Sequence, residues 1–267
     1  MENAPLPLPS DAPPLPPMPQ RMPKNIRVAI AVGIVVILVL SSVLAGLIIQ
    51  RYGIIPDPGS SDHQYPDNAT FSKSFHWTFD HHSYNLQLTI TAGEYYAYKD
   101  RTVARSPDYG DNAAMAQFVT PSDPIVENLS ARLEGMAQNL TLNDQQTLDF
   151  MLAFVQGIGY SFDNASTGQE DYWRYSVETL FDHTGDCEDL SILYSSILES
   201  TGHDAVLLIF IDASHAAVGA ACSGASGDYF PYGGVRYFYC ETTSSGWLLG
   251  EEPADIQDSP ATIVQVP

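Results

Sequence analysis

The sequence predicts an α+β domain, in which a helix packs on an antiparallel sheet, together with one N-terminal transmembrane helix. The 22 residues from Val28 to Ile49 carry no charge, and a helix of that length crosses the hydrocarbon core of a bilayer, which is about 30 Å thick. Apolar residues recur at helical spacing in the middle of the chain, whereas β-favouring runs follow Gly202. The roughly 200 residues after the apolar span suit a single domain of ordinary size.

Charged residues around the apolar span set its orientation. Arg21, Lys24 and Arg27 precede it and only Arg51 follows closely, so the positive-inside rule places the N-terminus in the cytoplasm. We therefore predict a single-pass protein of the cell membrane, with a transmembrane helix at residues 26–50 and an extracellular C-terminal domain. A cleaved signal peptide is the alternative, but the apolar stretch is longer than the usual hydrophobic region of about 7 to 15 residues.

Composition divides the rest of the chain. Residues 1–25 are rich in proline and poor in large apolar side chains, which predicts an extended cytoplasmic tail that serves either as a spacer or as a ligand for a proline-recognition partner. Residues 51–69 contain many turn formers and predict a juxtamembrane linker. The extracellular domain is then residues 70–267, with a β-hairpin and helices at 70–160 and a core at 172–250.

The extracellular part is strongly acidic. After Tyr52 the chain has 30 acidic and 7 basic residues, which is a formal charge of −23. A surface with this charge repels the phosphate groups of nucleic acids and of anionic lipids. We therefore predict no nucleic-acid partner, and a membrane association that depends on residues 26–50 alone.

The first half of the domain contains a predicted hairpin and two predicted helices. Large apolar residues alternate on both sides of residues 80–82, as in two antiparallel strands. Asp123 and Pro124 suit the N-cap and the first position of one helix, and the amphipathic segment that Gly157 ends forms the second. These helices have the pattern of core-packing elements.

Cys187 lies in the first turn of a third predicted helix. Asp186 suits the N-cap and Gly202 the C′ position, and the apolar positions between them recur at helical spacing: Leu190, Leu193, Ile197 and Leu198. The helix dipole favours a thiolate at this position, whereas the acidic neighbours Asp186, Glu188 and Asp189 oppose its ionisation. The thiol therefore needs a positive partner to become a nucleophile.

Three β-favouring runs follow this helix, at residues 204–212, 214–221 and 235–243. His215 opens the second run, and Glu241 lies near the end of the third. If these two runs form a hairpin around the glycine-rich segment between them, His215 lies opposite about Glu241. A carboxylate then lies beside the imidazole ring.

Cys187, His215 and Glu241 together supply the groups that acyl transfer needs. His215 takes the thiol proton, and Glu241 orients the ring and stabilises its positive charge. Taken singly, Cys187 also fits a buried packing residue and His215 an ordinary polar residue at a strand start. The joint pattern favours the catalytic interpretation.

Three separated motifs also carry a family resemblance: "GDCEDLSIL" at the helix start, "HAAVGA" at a strand start and "YFYCETTSSGW" at a strand end. In order and spacing they resemble the transglutaminase-like superfamily of papain-type cysteine enzymes, and they are similar to membrane-anchored members from archaea. The resemblance spans about residues 119–250. It departs from the family pattern at Glu241, where many relatives have Asp, and in the bulky loop at residues 181–184.

The resemblance implies a papain-like, transglutaminase-core fold with Cys187 as nucleophile, His215 as base and Glu241 as the third member. It implies action on peptide or glutamine amide bonds of an extracellular protein or peptide substrate through a thioester, with hydrolysis slightly favoured over amine transfer. A catalytically inactive cell-surface binding or scaffold module is the alternative. No cofactor is required by this chemistry.

The remaining histidines and cysteines have simpler interpretations. His76, His81 and His82 lack a carboxylate or thiol at a supporting interval, so no metal site is predicted. With His215 opposite Glu241, Cys222 faces about Gly234 and Cys240 faces about Ala216, which separates the two thiols by about 20 Å along the strands. Cys222 and Cys240 are therefore expected to be packing groups, not a disulfide.

Overall fold

The computed structural model describes residues 63–106, 112–169, 171–257 and 259–267. Within these ranges, no helix is both long enough and apolar enough to span a membrane. The predicted proline-rich tail, the transmembrane helix at 26–50 and most of the linker lie outside the described residues. The membrane anchor therefore stays a prediction.

The described part is a mixed structure of helices and antiparallel sheet. The α-helices are α1 (Ala92–Lys99), α2 (Pro124–Asn139), α3 (Asp144–Gln156), α4 (Asp163–Ser166), α5 (Ser176–Asp182) and α6 (Cys187–Ser200). The strands are β1 (Thr70–Phe79), β2 (His82–Thr91), β3 (Gly159–Tyr160), β4 (Thr184–Gly185), β5 (Ala205–Phe210), β6 (His215–Ala221), β7 (Tyr229–Tyr232), β8 (Val235–Cys240) and β9 (Thr262–Gln265). Two 3₁₀ turns occur at Asn112–Phe118 and Ile211–Ala213.

Strands β1 and β2 form a long hairpin whose inward side chains alternate with exposed ones. Its turn consists of Asp80 and His81, both at positive φ, which is the geometry of a two-residue turn that matches the right-handed twist of the strands. His82, which the sequence placed in the turn, is the first residue of β2. The buried residues Phe75 and Trp77 pack this hairpin on Phe154 of α3.

A five-stranded antiparallel sheet has the order β7-β8-β6-β5-β9. The three predicted strands form its centre as β6 and its two neighbours, β5 and β8. Two edge strands were not predicted. Strand β7 lies inside the segment interpreted as a glycine-rich loop, and it contains Pro231, a residue tolerated only at a sheet edge because it has no N–H to donate.

Helix α6 packs against β5 and β6 and is buried along almost its whole length. Asp186 is its N-cap, Cys187 its first residue, and Gly202 follows its end at positive φ. The apolar positions named from the sequence are fully buried in the main core, which α6 shares with α2, α3 and the hairpin. The start of the helix thus lies near the start of β6, the central strand of the sheet.

Candidate active site

Cys187 is held at the N-terminus of α6 by the residues around it. The Asp186 side chain accepts a hydrogen bond from the backbone N–H of Asp189 across the first turn (3.4 Å). Gly185 is required because a Cβ atom there would lie 2.6 Å from the Cβ of Asp189. The glycine, aspartate and cysteine of the motif therefore act together to set the start of the helix.

The Cys187 thiol is buried, with 7% of the residue exposed. Its S–H donates to the Glu188 carboxylate (2.8 Å) rather than to the His215 ring. Burial raises the pKa of the thiol far above its usual range, and the charge and hydrogen bond of Glu188 raise it further, whereas the backbone N–H of Ala216 opposes them. In this conformation Cys187 is a protonated thiol beside the first residues of β6.

His215 and Glu241 are in contact, with His215 Nε2 3.0 Å from Glu241 Oε2. The predicted register was wrong by two residues, because β6 and β8 pair Val218 with Cys240 rather than Ala216 with Cys240. A shift of two residues keeps every side chain on its face of the sheet, whereas a shift of one would have placed His215 and Glu241 on opposite faces. The pair therefore forms although the register differs.

Glu241 is almost fully buried and receives several hydrogen bonds. Thr243 donates to its Oε1 through both the backbone N–H (2.9 Å) and the hydroxyl, and the Tyr239 hydroxyl donates to its Oε2 (2.8 Å). Burial disfavours the carboxylate, but His215 and Thr243 outweigh it and lower the pKa of Glu241 to about 2. The carboxylate is thus ionised and fixed in orientation beside the ring.

Tyr239 and Thr243 were not identified from the sequence, although a signal for them exists. Each lies two residues from Glu241, and side chains two apart along an extended chain point to the same side. Tyr239 also lies 3.3 Å from His215 Nε2 through its hydroxyl. Alternation around Glu241 would have found both.

Helix α3 anchors the segment that follows β8. The Gln156 side chain donates to the carbonyls of Glu241 (2.8 Å) and Trp247 (3.0 Å) and accepts from the N–H of Gly246 (3.2 Å). Asp149, two turns earlier on the same face of the helix, accepts from the N–H of Leu249 (2.7 Å). These contacts join residues 85 or more positions apart, so the sequence carries no local signal for them.

A buried arginine contacts the first turn of α6 and two further carboxylates. Arg174 is 1% exposed, and its guanidinium and its backbone N–H both donate to the Asp189 carboxylate. Asp163 and Asp182 lie 3.6 Å and 3.7 Å from the same guanidinium. The positive charge of Arg174 thus offsets the negative charges of three carboxylates close to the first turn of α6.

Three residues with polar or aromatic side chains that precede Cys187 in the sequence have structural contacts. His183 caps the end of α5, and its ring contacts Phe75 on the hairpin. Tyr172 and Trp173 are buried core residues. No group of three or more potential metal ligands occurs within the described ranges.

All three cysteines are free. Cys240 is fully buried and Cys222 is partly buried against the same core. Because Cys240 pairs with Val218, Cys222 lies four residues further along the neighbouring strand, about 13 Å away. Their predicted role as packing groups is confirmed, although the opposed residues differ from those expected.

A cavity of about 540 Å³ opens beside the His215–Glu241 pair. It is formed by residues 213–215, by the segment 241–247 that Gln156 anchors, and by residues 253–256. Trp247 lines it, whereas Cys187 does not. His215 and Glu241 therefore face an open space that Cys187 does not line.

Glu188→Gln is expected to make Cys187 more reactive. The substitution removes the negative charge that raises the pKa of the thiol, so the thiolate fraction at neutral pH increases. Alkylation by iodoacetamide should accelerate about tenfold, the effect of one pKa unit. Cys222 in the same sample is the internal control, and an unchanged or slower rate at Cys187 would contradict the assigned contact.

Buried aspartates make the domain more stable in mild acid than in mild base. Burial, as the largest cause, raises the pKa of Asp149 and of Asp163 to about 6 and that of Asp186 to about 7. The folded state therefore binds more protons than the unfolded state between about pH 4 and pH 7, and stability falls as the pH rises through that window. Glu241 acts oppositely, but only below about pH 4.

We expect a melting temperature several degrees higher at pH 5 than at pH 8. Asp149→Asn should reduce this difference, because the amide oxygen still accepts the Leu249 N–H without a charge that must be buried. Scanning calorimetry at the two pH values measures both. A higher melting temperature at pH 8 would show that the assigned shifts have the wrong sign.

Comparison with known proteins assigns no family. No protein-family model and no curated protein matches the chain. Partly similar solved structures include LapG of Legionella pneumophila, at 16% identity over 51% of this chain and 77% of that one (TM-score 0.33), and its EGTA-treated form, at 16% identity over 61% and 84% (TM-score 0.34). A Cytophaga hutchinsonii protein proposed to be a cysteine protease is 11% identical over 74% and 73% (TM-score 0.34). The archaeal likeness stays a prediction.

Proposed function

We propose that this protein is a papain-like, transglutaminase-type cysteine enzyme that acts on peptide or glutamine amide bonds. Cys187 is the nucleophile, His215 the general base and acid, and Glu241 the residue that orients the ring. The observation that carries the proposal is the contact between His215 and a buried, ionised Glu241 at the start of β6, next to the first turn of the helix that bears Cys187.

The contacts of His215 indicate which nitrogen acts. Because Nε2 binds Glu241, Nδ1 is the nitrogen that accepts the thiol proton. The Cys187 thiolate attacks the amide carbon, and the protonated ring then gives its proton to the departing amine, which leaves a thioester on Sγ. Water or a second amine attacks the thioester, and the thiol regains its proton when the acid or the new amide leaves.

The thiol must change partner for this reaction. The thiol donates a hydrogen bond to Glu188 (2.8 Å) and lies near the backbone N–H of Ala216, the residue after His215. A rotation about the Cα–Cβ bond of Cys187 moves Sγ without moving the helix. We infer that the reactive ion pair forms when substrate or this rotation breaks the contact with Glu188.

A catalytically inactive surface-binding module is the second candidate. The observation that favours it is the same hydrogen bond, because Glu188 stabilises the unreactive thiol form of a buried cysteine. The two candidates differ in how Cys187 responds to its neighbours. Loss of His215 slows its alkylation in an enzyme and leaves it unchanged in an inactive module.

The cellular location is part of the proposal. The uncharged span from Val28 to Ile49 and the basic residues before it support a single-pass anchor with an extracellular domain. Protease added to intact cells should then remove the domain that contains Cys187. Protection of that domain until the cells are lysed would contradict the orientation.

A peptide library incubated with the full chain tests the activity. The library is scored both for cleavage and for incorporation of a labelled primary amine, so that hydrolysis and amine transfer are separated. Cys187→Ala should abolish both products, and Cys222→Ala, which removes a thiol outside the site, should retain them. Products that persist in Cys187→Ala, or that never form with the wild-type chain, would contradict the proposal.

A further inference from the structure

The cavity beside His215 is not used by the steps proposed above. Its volume of about 540 Å³ lies within the range of about 300–1,000 Å³ that is usual for small-molecule pockets. One amino-acid side chain occupies part of such a space. The cavity is therefore large enough to hold a substrate residue beside the base.

The position of the cavity relates it to one side of the substrate. It is lined by His215 and Glu241 but not by Cys187. In acyl transfer the acyl group stays on the sulfur, whereas the departing nitrogen receives its proton from the histidine. The residue that follows the scissile bond must therefore lie on the His215 side, where the cavity opens.

The lining of the cavity is acidic. Its lining residues include Glu241 and Asp255, and among the described residues that line it none is Lys or Arg. Both oxygens of Glu241 already accept hydrogen bonds. Asp255 is exposed, and within the described ranges its carboxylate has no hydrogen-bond or ion-pair partner. Among the described residues that line the cavity, Asp255 is thus the carboxylate that is available to pair with a bound cation.

Two further features favour a cation. Trp247 lines the same cavity, and an indole ring attracts an ammonium or guanidinium group that lies over its face. The chain after Tyr52 has a formal charge of −23, which concentrates cations and repels anions around the domain. An anionic side chain is therefore the least suitable occupant.

We propose that this cavity is the subsite for the residue after the scissile bond and that it takes a lysine or arginine side chain. The cationic group lies near Asp255, and the methylene groups lie against Trp247. This specificity rests on the proposed function, because it is the reaction that places the departing residue beside His215.

Binding to the full chain carrying Cys187→Ala tests the subsite without turnover. The probes are three dipeptide amides that differ only in the first residue, Lys-Ala, norleucine-Ala and Glu-Ala, and each represents the departing fragment. Their binding is followed by tryptophan fluorescence, since Trp247 lines the cavity whereas Trp77 and Trp173 are buried. The lysine probe should bind about fivefold more tightly than the norleucine probe, the upper range for one exposed ion pair.

Variants separate a specific contact from the general charge. Asp255→Asn should bring the ratio of lysine to norleucine affinity close to one, and Asp255→Lys should favour the glutamate probe. Glu127→Gln removes an exposed carboxylate on α2 and should leave the ratio unchanged. Equal binding of lysine and norleucine, or a ratio that Asp255→Asn does not change, would overturn the subsite.

The two proposals can fail independently. A wild-type chain that cleaves library peptides without preferring a basic residue after the cleaved bond supports the enzyme and overturns the subsite. A chain that binds the lysine probe through Asp255 but forms no product in the library supports the cation-binding cavity and contradicts the enzyme.

Discussion

His215→Ala is expected to lower kcat/KM on peptide substrates by on the order of 10³- to 10⁴-fold. In the proposed mechanism the ring takes the thiol proton and returns it to the departing amine, and general acid–base groups of this kind contribute about 10²- to 10⁴-fold, more when they also activate the nucleophile. The same substitution should slow alkylation of Cys187 by iodoacetamide at neutral pH. Cys222 and Cys240 should react as in the wild-type chain.

His183 provides the matched control for this experiment. It lies four residues before Cys187, but its ring contacts Phe75 and its backbone has a φ of 58°. Asn tolerates that conformation better than Ala, so His183→Asn removes the imidazole with little strain. Activity should persist in this variant, and loss of activity in His183→Asn with retention in His215→Ala would reverse the assignment of the base.

Arg174→Met is expected to lower the free energy of unfolding by about 3–5 kcal/mol, the usual cost of leaving a buried charge without its partner. The substitution leaves Asp189 fully buried, with Asp163 and Asp182 close by and no guanidinium between them. Urea denaturation measures the change. Because Asp189 lies in the first turn of α6, the variant should also lose activity before it unfolds completely.

Two further variants test whether the loss of stability comes from the buried charge cluster. Arg236→Met removes an exposed guanidinium that lies over Tyr229 and Phe238, and it should cost less than 1 kcal/mol, as is usual for surface substitutions (about ±0.5 kcal/mol). Adding Asp189→Asn to Arg174→Met should recover part of the stability, since it removes a charge that has lost its partner. Arg174→Met within about 1 kcal/mol of wild type would show that the cluster contributes little.

Elements defined by neighbouring residues could be predicted from the sequence. Helix α6 was found because its cap, its apolar spacing and its terminal glycine are all local signals. The register between β6 and β8 was not predicted correctly, because it depends on the segment of chain that connects the two strands. Strand β7 occupies that connection and pairs with β8 through a turn at Gly233 and Gly234, both at positive φ.

The contacts of the candidate site also fall into those that the sequence predicts and those that depend on the tertiary fold. The contact between His215 and Glu241 was predicted because side-chain alternation constrains the face of the sheet even when the register is uncertain by two. The roles of Arg174 and Gln156 could not be predicted, since each acts on residues that only the tertiary fold brings near. The partner of the Cys187 thiol was adjacent in sequence, but which acidic neighbour it contacts depends on the rotamer that the fold selects.

The contact between Cys187 and Glu188 also affects how the protein withstands oxidation. Peroxides attack thiolates much faster than thiols, and the product of that attack, a sulfenic acid, can no longer form a thioester. In the proposed mechanism, a nucleophile that stays protonated and buried until it contacts its base is therefore protected from oxidation while no substrate is bound. Glu188 would then protect Cys187 from oxidation in the absence of substrate, and it would also slow formation of the thiolate when substrate binds.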